Sequence, residues 1–400
     1  MTNKPELLSP AGDMEKLKMA VCYGADAVYL AGTSFGMRAS AGNFDADGLK
    51  TAIEYCHGHN VKVYVTCNTL PREYELGALP EYLRYLNGIK ADALIVADMG
   101  VVALARKYAP DTALHISTQL GVVNSESANF LHSLGADTVV LARELSLNEI
   151  VQLRKNTDPG LKIECFVHGA MCVSFSGRCL ISNYLTDRDA NRGQCAQPCR
   201  WKYHLIEESR PGVMLDITED KGTYLYNSRD LNMISHIGEL IEAGVDSFKI
   251  EGRMKSSYYT AAVTNAYRHV IDDILAGREP DTVWIKETDK VSHRDYSTGF
   301  FYGYPGQYYD DAHYFTDSDV VAVVEECDSD GNAVCVQRNK FFSGDRLELL
   351  SPKGYPAEFT AEAIYDLNGT LLEDTRHAAM KFRIRLPRYA QPLSILRKNR

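Results

Sequence analysis

The chain has 400 residues, of which 45% are hydrophobic and 24% charged, and a net charge of −10. This composition excludes a mostly disordered or fibrous protein, and the length suits two domains. No apolar run approaches the ~18 residues of a membrane span and no leader-like segment opens the chain, so we expect a cytoplasmic protein without membrane association. The net charge, taken as an average, argues against a nucleic-acid partner.

Four copies of a similar phrase predict a repeating unit: YGADAVYLAG from Tyr23, IKADALIVAD from Ile89, LGADTVVLARE from Leu134 and AGVDSFKIEGR from Ala243. In each copy a glycine or small residue ends a helix, an aspartate follows in the turn, and a β-branched apolar run is typical of a strand in a parallel sheet. Four further strands are predicted at 6–10, 61–68, 113–119 and 161–169. Four plus four makes eight strands.

Segments with helical periodicity separate these strands, and 257–275 predicts a helix after the last one. Eight alternating units within residues 1–280 fit a (β/α)8 barrel of the TIM type, whose usual size is ~250 residues. A doubly wound sheet is the competing α/β fold, but no Gly-rich phosphate turn follows an early strand. We therefore predict an α/β protein whose first domain is a (β/α)8 barrel.

One connection is much longer than the others. It lies between the seventh strand, which ends near Gly169, and the eighth strand, which starts near Asp246. This insertion holds four clustered cysteines, all within 172–199: Cys172, Cys179, Cys195 and Cys199. Barrel sites form at the carboxyl ends of the strands and long loops commonly carry function, so we expect the site here.

The spacing Cys172-x6-Cys179-x15-Cys195-x3-Cys199 supplies four thiolates. That number completes either a tetrahedral zinc site or a [4Fe–4S] cluster. Zinc sites usually show two tight cysteine pairs, and only the second pair is tight here, which favours iron–sulfur. The alternatives are a zinc ion and four unrelated free thiols.

After residue 280 the pattern changes. Residues 281–317 form an aromatic connector, and 318–400 predict a small basic β-barrel, because short alternating strands are separated by turn signals such as DSDGN and DLNGT. The segment 376–400 carries eight basic residues and no acidic one. A solvated strand face and an RNA contact are the two interpretations. The candidates for the RNA contact are Arg383, Arg385 and Arg388.

Charged residues also stand where the barrel strands are predicted to end. The candidates for substrate binding are the cations of this set, together with Arg178 beside the cysteines: Arg143, Arg178, Lys249 and Arg253. The candidates for acid–base catalysis are His168, Glu144 and Glu251. Simple Arg–Glu ion pairs and a structural histidine are the alternatives.

Residues 164–182, ECFVHGAMCVSFSGRCLIS, resemble the signature of the collagenase-like peptidase U-32 family. The downstream NRGQCAQPCRWKY, the repeat-bearing barrel and SHRDYSTGFFYG fit the same family, so the resemblance spans nearly the whole chain. It implies an enzyme that binds a [4Fe–4S] cluster and hydroxylates without molecular oxygen. The length and the single C-terminal module resemble most the members that convert the wobble uridine of tRNA to 5-hydroxyuridine, which depend on prephenate.

The resemblance thus implies tRNA and prephenate as partners, and the cations at the strand ends suit a dicarboxylate such as prephenate. A partner subunit or a homo-oligomer is compatible with the sequence. Two other functions stay open. A cysteine peptidase is one, since His168 precedes Cys172 by four residues, although no metalloprotease or serine-nucleophile motif is present. A non-catalytic subunit with a structural zinc ion is the other.

Overall fold

The computed structural model of the chain describes residues 4–37, 42–201, 203, 205–206, 214–215, 227–306 and 314–400. These residues divide into two compact units. The first contains the described residues of 1–17, 25–255 and 293–314, and the second contains 18–24, 256–292 and the described residues from 315 to 400.

The strands are, in chain order, β1 (Glu6–Pro10), β2 (Ala27–Leu30), β3 (Lys62–Cys67), β4 (Ala93–Val96), β5 (Ala113–Ile116), β6 (Thr138–Val140), β7 (Lys162–Ala170), β8 (Leu205–Ile206), β9 (Met214–Leu215), β10 (Asp230–Asn232), β11 (Ser247–Ile250), β12 (Tyr296–Ser297), β13 (Ser318–Cys327), β14 (Asn332–Gln337), β15 (Arg346–Leu350), β16 (Ala357–Thr360), β17 (Ile364–Tyr365), β18 (Leu371–Leu372), β19 (Lys381–Arg385) and β20 (Ile395–Asn399). The α-helices are α1 (Met14–Cys22), α2 (Ala46–His57), α3 (Leu79–Gly88), α4 (Met99–Tyr108), α5 (Ser125–Ser133), α6 (Leu147–Lys155), α7 (Ile181–Thr186), α8 (Ile237–Glu242), α9 (Ser257–Leu275) and α10 (Thr282–Glu287). Across the described ranges, no helix has the length and apolar character needed to cross a membrane.

Eight strands form a closed parallel barrel. β1 to β7 pair in chain order, and β11 pairs with both β1 and β7, which closes the sheet. The aspartate of each repeated phrase accepts a hydrogen bond of 2.8–2.9 Å from the backbone N–H of the second residue in the neighbouring strand. The four pairs are Asp26 with Leu7, Asp92 with Val63, Asp137 with Leu114 and Asp246 with Ile163. The predicted (β/α)8 barrel is confirmed, and the aspartate of the repeat links the two strands in four of the eight neighbouring pairs.

The insertion after the seventh strand begins and ends on that strand. β7 leads into the cysteine segment, and β10 returns antiparallel to the end of β7, with Asp230 opposite Ala170 and Asn232 opposite His168. Within the insertion, β8 and β9 pair antiparallel with each other. Asp230 is buried and accepts a hydrogen bond from Arg294 Nη2 at 2.6 Å, which fixes the returning strand.

The second unit is built on an antiparallel sheet. β13 to β20 form eight strands in the order β16-β15-β20-β13-β14-β19-β17-β18, a half-barrel whose core includes Phe341. α9 and α10 belong to this unit. Arg397 is fully buried and donates to Glu348 at 2.7 Å, to Glu287 at 2.7 Å and to the Tyr258 hydroxyl at 2.9 Å, so a charged network joins both helices to the sheet.

The C-terminal β-module is thereby confirmed as a separate antiparallel element. The domain limits at residues 280 and 317 stay predictions. Residues 307–313 of the aromatic connector lie outside the described residues.

Candidate functional site

The carboxyl ends of the barrel strands and the cysteine segment enclose a cavity of about 150 Å³. β3 contributes Thr66, β7 contributes Phe166 and β11 contributes Lys249, while Glu251 and Arg253 follow β11. This end of a (β/α)8 barrel is the one at which enzymes of this fold place their chemistry.

Four thiols line the cavity: Cys172, Cys179, Cys195 and Cys199. Burial raises the pKa of the Cys199 thiol, Arg200 opposes that rise, and the other three cysteines add to it. The four groups therefore lie close enough to interact electrostatically. The backbone N–H of Gln197 donates to Cys195 Sγ at 3.3 Å, and hydrogen bonds of this kind stabilise and tune ligated sulfur.

The loop that carries the first two cysteines is attached to the barrel at two points. Gly177 has φ +75°, and a Cβ at this position would lie 1.9 Å from the carbonyl oxygen of Gln119, so only glycine fits. Ser176 donates its backbone N–H to Glu144 Oε1 at 2.9 Å and its hydroxyl to Glu144 Oε2 at 3.0 Å. Glu144, a predicted acid–base residue, thus lines the cavity and holds this loop.

The segment between the second and third cysteines is attached on another side. Arg192 donates to Glu75 Oε1 at 2.7 Å and to the carbonyl oxygen of Leu70 at 2.8 Å. The hydrogen bond from Arg192 lowers the pKa of Glu75. The cysteine segment is therefore held both beyond β3 and at the ends of β5 and β6.

Arg143 and Glu251 form an ion pair at the cavity wall. Arg143 Nη2 donates to Glu251 Oε2 at 3.1 Å, and Nη1 donates to the carbonyl oxygen of Ala170 at 2.7 Å. The guanidinium carbon lies 3.8 Å from the centroid of the Phe166 ring. An Arg–Glu pair was one of the sequence alternatives, and the structure forms it between two different strand ends.

Lys249 and Glu164 form a second pair, deeper in the barrel. Lys249 Nζ donates to Glu164 Oε1 at 2.8 Å, with side-chain exposures of 5% and 0%. Ser247 donates to the other carboxylate oxygen at 3.1 Å, and Nζ lies 4.7 Å from the centroid of the Tyr29 ring. Sequence reasoning missed Glu164. The available signal was a glutamate inside the otherwise apolar strand LKIECFVHG, because a charge is rarely buried without a partner.

Arg253 is 3% exposed and lies on the opposite wall. Its Nη1 donates to Thr66 Oγ1 at 3.2 Å, and its Nη2 donates to the carbonyl oxygen of Met37 at 2.7 Å and to Asn43 Oδ1 at 2.9 Å. The structure therefore brings together the three predicted cations Arg143, Lys249 and Arg253 with Glu144 and Glu251 around one cavity.

Other predicted site residues lie elsewhere. His168 is 1% exposed, is absent from the described cavity lining, and has Nε2 3.4 Å from the Tyr296 hydroxyl. Burial lowers the pKa of His168 to about 3, so the imidazole is neutral near pH 7, and its catalytic role stays a prediction. Arg178 is exposed and outside the cavity lining. The remaining predicted residues lie in the second unit: Arg383, Arg385 and Arg388.

The donor set can be tested against the metals that the sequence left open. Among the described residues, no three His, Cys, Asp or Glu side chains are placed to hold one metal ion. A tetrahedral zinc ion with Zn–S bonds of about 2.3 Å requires its sulfurs to converge on a single point. Four thiols line one cavity and one of them accepts an N–H hydrogen bond, a donor set that is compatible with an iron–sulfur group.

The fold and the site define a (β/α)8 barrel protein with a four-cysteine insertion at the mouth of the barrel and an appended antiparallel module. Two family descriptions match this chain: Peptidase family U32 over residues 12–311, and Peptidase family U32 C-terminal domain over residues 316–397. The chain belongs to peptidase family U32, as the sequence resemblance indicated.

This chain aligns over most of its length with several relatives. It is 38% identical to tRNA hydroxylation protein P1 of Bacillus subtilis, with 100% of this chain and 96% of the relative covered. It is 36% identical to tRNA hydroxylation protein P of Escherichia coli, with 92% and 90% covered. It is also 38% identical to the 23S rRNA 5-hydroxycytidine C2501 synthase of Escherichia coli, with 75% of this chain and 45% of that protein covered.

Proposed function

We propose that this chain is an RNA-modifying enzyme that hydroxylates a base of tRNA. The observation that carries the proposal is the convergence of four thiols and three cations on one cavity at the barrel mouth. The names of the relatives that align over most of this chain support RNA hydroxylation, and the names of two of them support tRNA as the substrate.

The proposed cofactor is a [4Fe–4S] cluster ligated by Cys172, Cys179, Cys195 and Cys199. Replacing C–H by C–OH is a two-electron oxidation of the base, and a bound cluster would supply electron transfer at the cavity, one electron at a time. The chain contributes the N–H of Gln197 to the sulfur of the third cysteine and the positive charge of Arg200 near the fourth. Both stabilise negative charge on sulfur.

The proposed co-substrate is prephenate, a small dicarboxylate. Arginine has five N–H donors, and the two bonds described for Arg143 use two of them, so further donors are available to a carboxylate. Lys249 and Arg253 add positive charge on two other parts of the wall. The rings of Tyr29 and Phe166 supply an apolar surface for the carbon skeleton.

The proposed target is carbon 5 of the wobble uridine. A base must leave its stack to reach a cavity at the mouth of a barrel, and this costs least in a single-stranded loop. The anticodon loop meets that requirement. The cytoplasm is the proposed location, because the tRNA substrate is found there.

The test combines metal analysis with nucleoside analysis. Anaerobically purified wild-type protein is expected to contain iron and acid-labile sulfide in equal amounts, and Cys→Ala variants at each of the four positions are expected to lose both. Cys327→Ala is the matched control, because Cys327 is half-buried, as three of the four are, but lies in the other unit. In a deletion strain, wild-type protein and the control variant restore hydroxylated uridine in tRNA, and the four cluster variants do not.

Three outcomes overturn parts of this proposal. Stoichiometric zinc without acid-labile sulfide contradicts the proposed cluster and favours a structural metal. Restored hydroxylation in strains that cannot make prephenate contradicts the proposed role of prephenate as co-substrate. Cleavage of collagen peptides that Cys172→Ala abolishes, with tRNA unchanged in the deletion strain, puts the peptidase function first.

A further inference from the structure

The basic segment 376–400 is largely neutralised within the second unit. Five of its eight basic residues have acidic partners there: Arg376 with Asp374, Lys381 with Glu325, Arg397 with Glu287 and Glu348, Lys398 with Asp345, and Arg400 with Asp319. Arg388 donates to the carbonyl oxygen of Tyr355, which carries no charge. Within residues 314–400, which are all described, Arg383 and Arg385 have no ion-pair partner. In this described segment the positive charge without an acidic partner therefore lies at Arg383 and Arg385 of β19 and at Arg388 just after that strand.

Arg383 and Arg385 lie on the same exposed side of β19, where exposed and buried residues alternate. Tyr365 of β17 is directly opposite Arg383 and is 39% exposed. On the other neighbouring strand, β14, Val334 is opposite Arg383 and Asn332 is opposite Arg385. Directly opposed residues project from the same face of an antiparallel pair, so the two arginines and the tyrosine form one patch.

This patch forms part of an open groove of about 950 Å³, which we call the arginine groove and define by Arg383, Arg385, Tyr365 and Phe359. Three carboxylates also line it: Asp328, Asp330 and Glu362. The carboxylate of Asp328 accepts hydrogen bonds from the backbone N–H groups of Asp330 and Asn332 and from the Asn332 amide, so it serves the hairpin turn.

We propose that the arginine groove binds a single-stranded segment of the RNA substrate, an inference that rests on the proposed function. The Cα atoms of alternate residues on a strand are about 7 Å apart. The guanidinium groups of Arg383 and Arg385 therefore contact successive phosphates. The exposed ring of Tyr365 stacks on a base. The carboxylates of Asp330 and Glu362 accept hydrogen bonds from base N–H groups, which single-stranded RNA exposes and a duplex conceals.

Direct binding of unmodified tRNA to the full-length protein tests this, measured by fluorescence anisotropy over a range of salt concentrations. Arg383→Gln/Arg385→Gln is expected to weaken binding at least tenfold and to reduce the slope of log K against log salt by about 1.4, since each phosphate that is no longer neutralised lowers the slope by about 0.7. Tyr365→Ala is expected to weaken binding about tenfold with an unchanged slope, because stacking releases no counterions.

Two matched controls separate this groove from general electrostatics. Lys398→Gln/Arg400→Gln removes the same charge from ion-paired residues of the same module, and Tyr389→Ala removes a tyrosine that is 54% exposed outside the groove. Both are expected to bind tRNA like wild type. An equal loss of affinity in the control double variant would overturn the inference.

The remaining outcomes distinguish this inference from the proposed function. If wild-type protein binds and hydroxylates tRNA while the groove variants bind it equally well, the groove is not the RNA surface and the proposed function stands. If wild-type protein neither binds nor modifies tRNA, the proposed function fails as well. Thermal melting of each variant confirms that a loss of binding is not a loss of folding.

Discussion

The buried pair of Lys249 and Glu164 allows a quantitative prediction. Lys249→Met leaves the Glu164 carboxylate at 0% exposure with the Ser247 hydroxyl as its described donor. Breaking a buried ion pair by removing one partner costs about 3–5 kcal/mol, because an uncompensated charge remains. The substitution also removes the ammonium group that faces the Tyr29 ring. We expect the free energy of unfolding of this variant to fall by about 4 kcal/mol.

Urea unfolding followed by circular dichroism measures this loss, and a second variant identifies its cause. Lys249→Met/Glu164→Gln removes both charges and is expected to recover at least about 2 kcal/mol of the loss, because a neutral amide is less costly to bury than an unpaired carboxylate. Lys62→Met is the control. Lys62 pairs with Glu6 but is 51% exposed, so its replacement is expected to cost about 0–1 kcal/mol.

Two results would refute this reasoning. One is a loss for Lys249→Met no larger than that for Lys62→Met. The other is a double variant as unstable as the sum of the two single variants, since the charges would then not be coupled. We also expect the double variant to fold and yet to hydroxylate tRNA poorly, because the cavity has lost its ammonium group.

Further predictions concern the cysteine loop and a buried histidine. Gly177→Ala is expected to lower the iron content of the proposed cluster, because a side chain in the left-handed backbone costs about 1–2 kcal/mol and the new Cβ meets the carbonyl oxygen of Gln119. Gly344→Ala is the control, since Gly344 has φ +88° with open space around it, and it should leave the iron content unchanged. Ser176→Ala removes the hydroxyl that donates to Glu144 and is expected to speed iron release to a chelator, and an unchanged rate would contradict that attachment. His168 has a folded pKa of about 3, so the unfolded chain binds its proton first and this histidine lowers stability by about 1.4 kcal/mol per pH unit below about pH 6. His115, whose pKa burial also lowers to about 3, adds a contribution of its own. In His168→Gln the pH slope of the unfolding free energy should therefore be smaller by about 1.4 kcal/mol per pH unit, and equal slopes in the two proteins would show that His168 does not have this pKa.

The barrel was predictable because its signals are local. The four aspartates of the repeated phrase occupy the same place in each turn, and each bonds to the neighbouring strand. The four clustered cysteines were predictable as a group, since their spacing alone sets them apart from the six scattered ones. The attachment of their loop was not, because the distance between Gly177 and Gln119 depends on how separate strands meet.

Partners of charged residues were the least predictable part of the site. Arg143 is adjacent to Glu144 in sequence but pairs with Glu251, which the closed sheet brings to it. Glu164 was overlooked because its partner Lys249 lies on a strand that becomes its neighbour only when the barrel closes. Local patterns identify which residues bear charge, whereas topology decides which charges neutralise each other.

The antiparallel return of β10 onto β7 has a consequence for chain entropy. Ala170 and Asp230 are opposite each other, so the insertion leaves and re-enters the barrel at nearly the same point. For a loop with fixed ends the closure cost grows with the logarithm of its length, and a doubling costs only about 0.6 kcal/mol. The insertion can therefore gain or lose residues at little expense to the barrel. Related chains can differ in the length of this insertion while the strands that carry it stay the same.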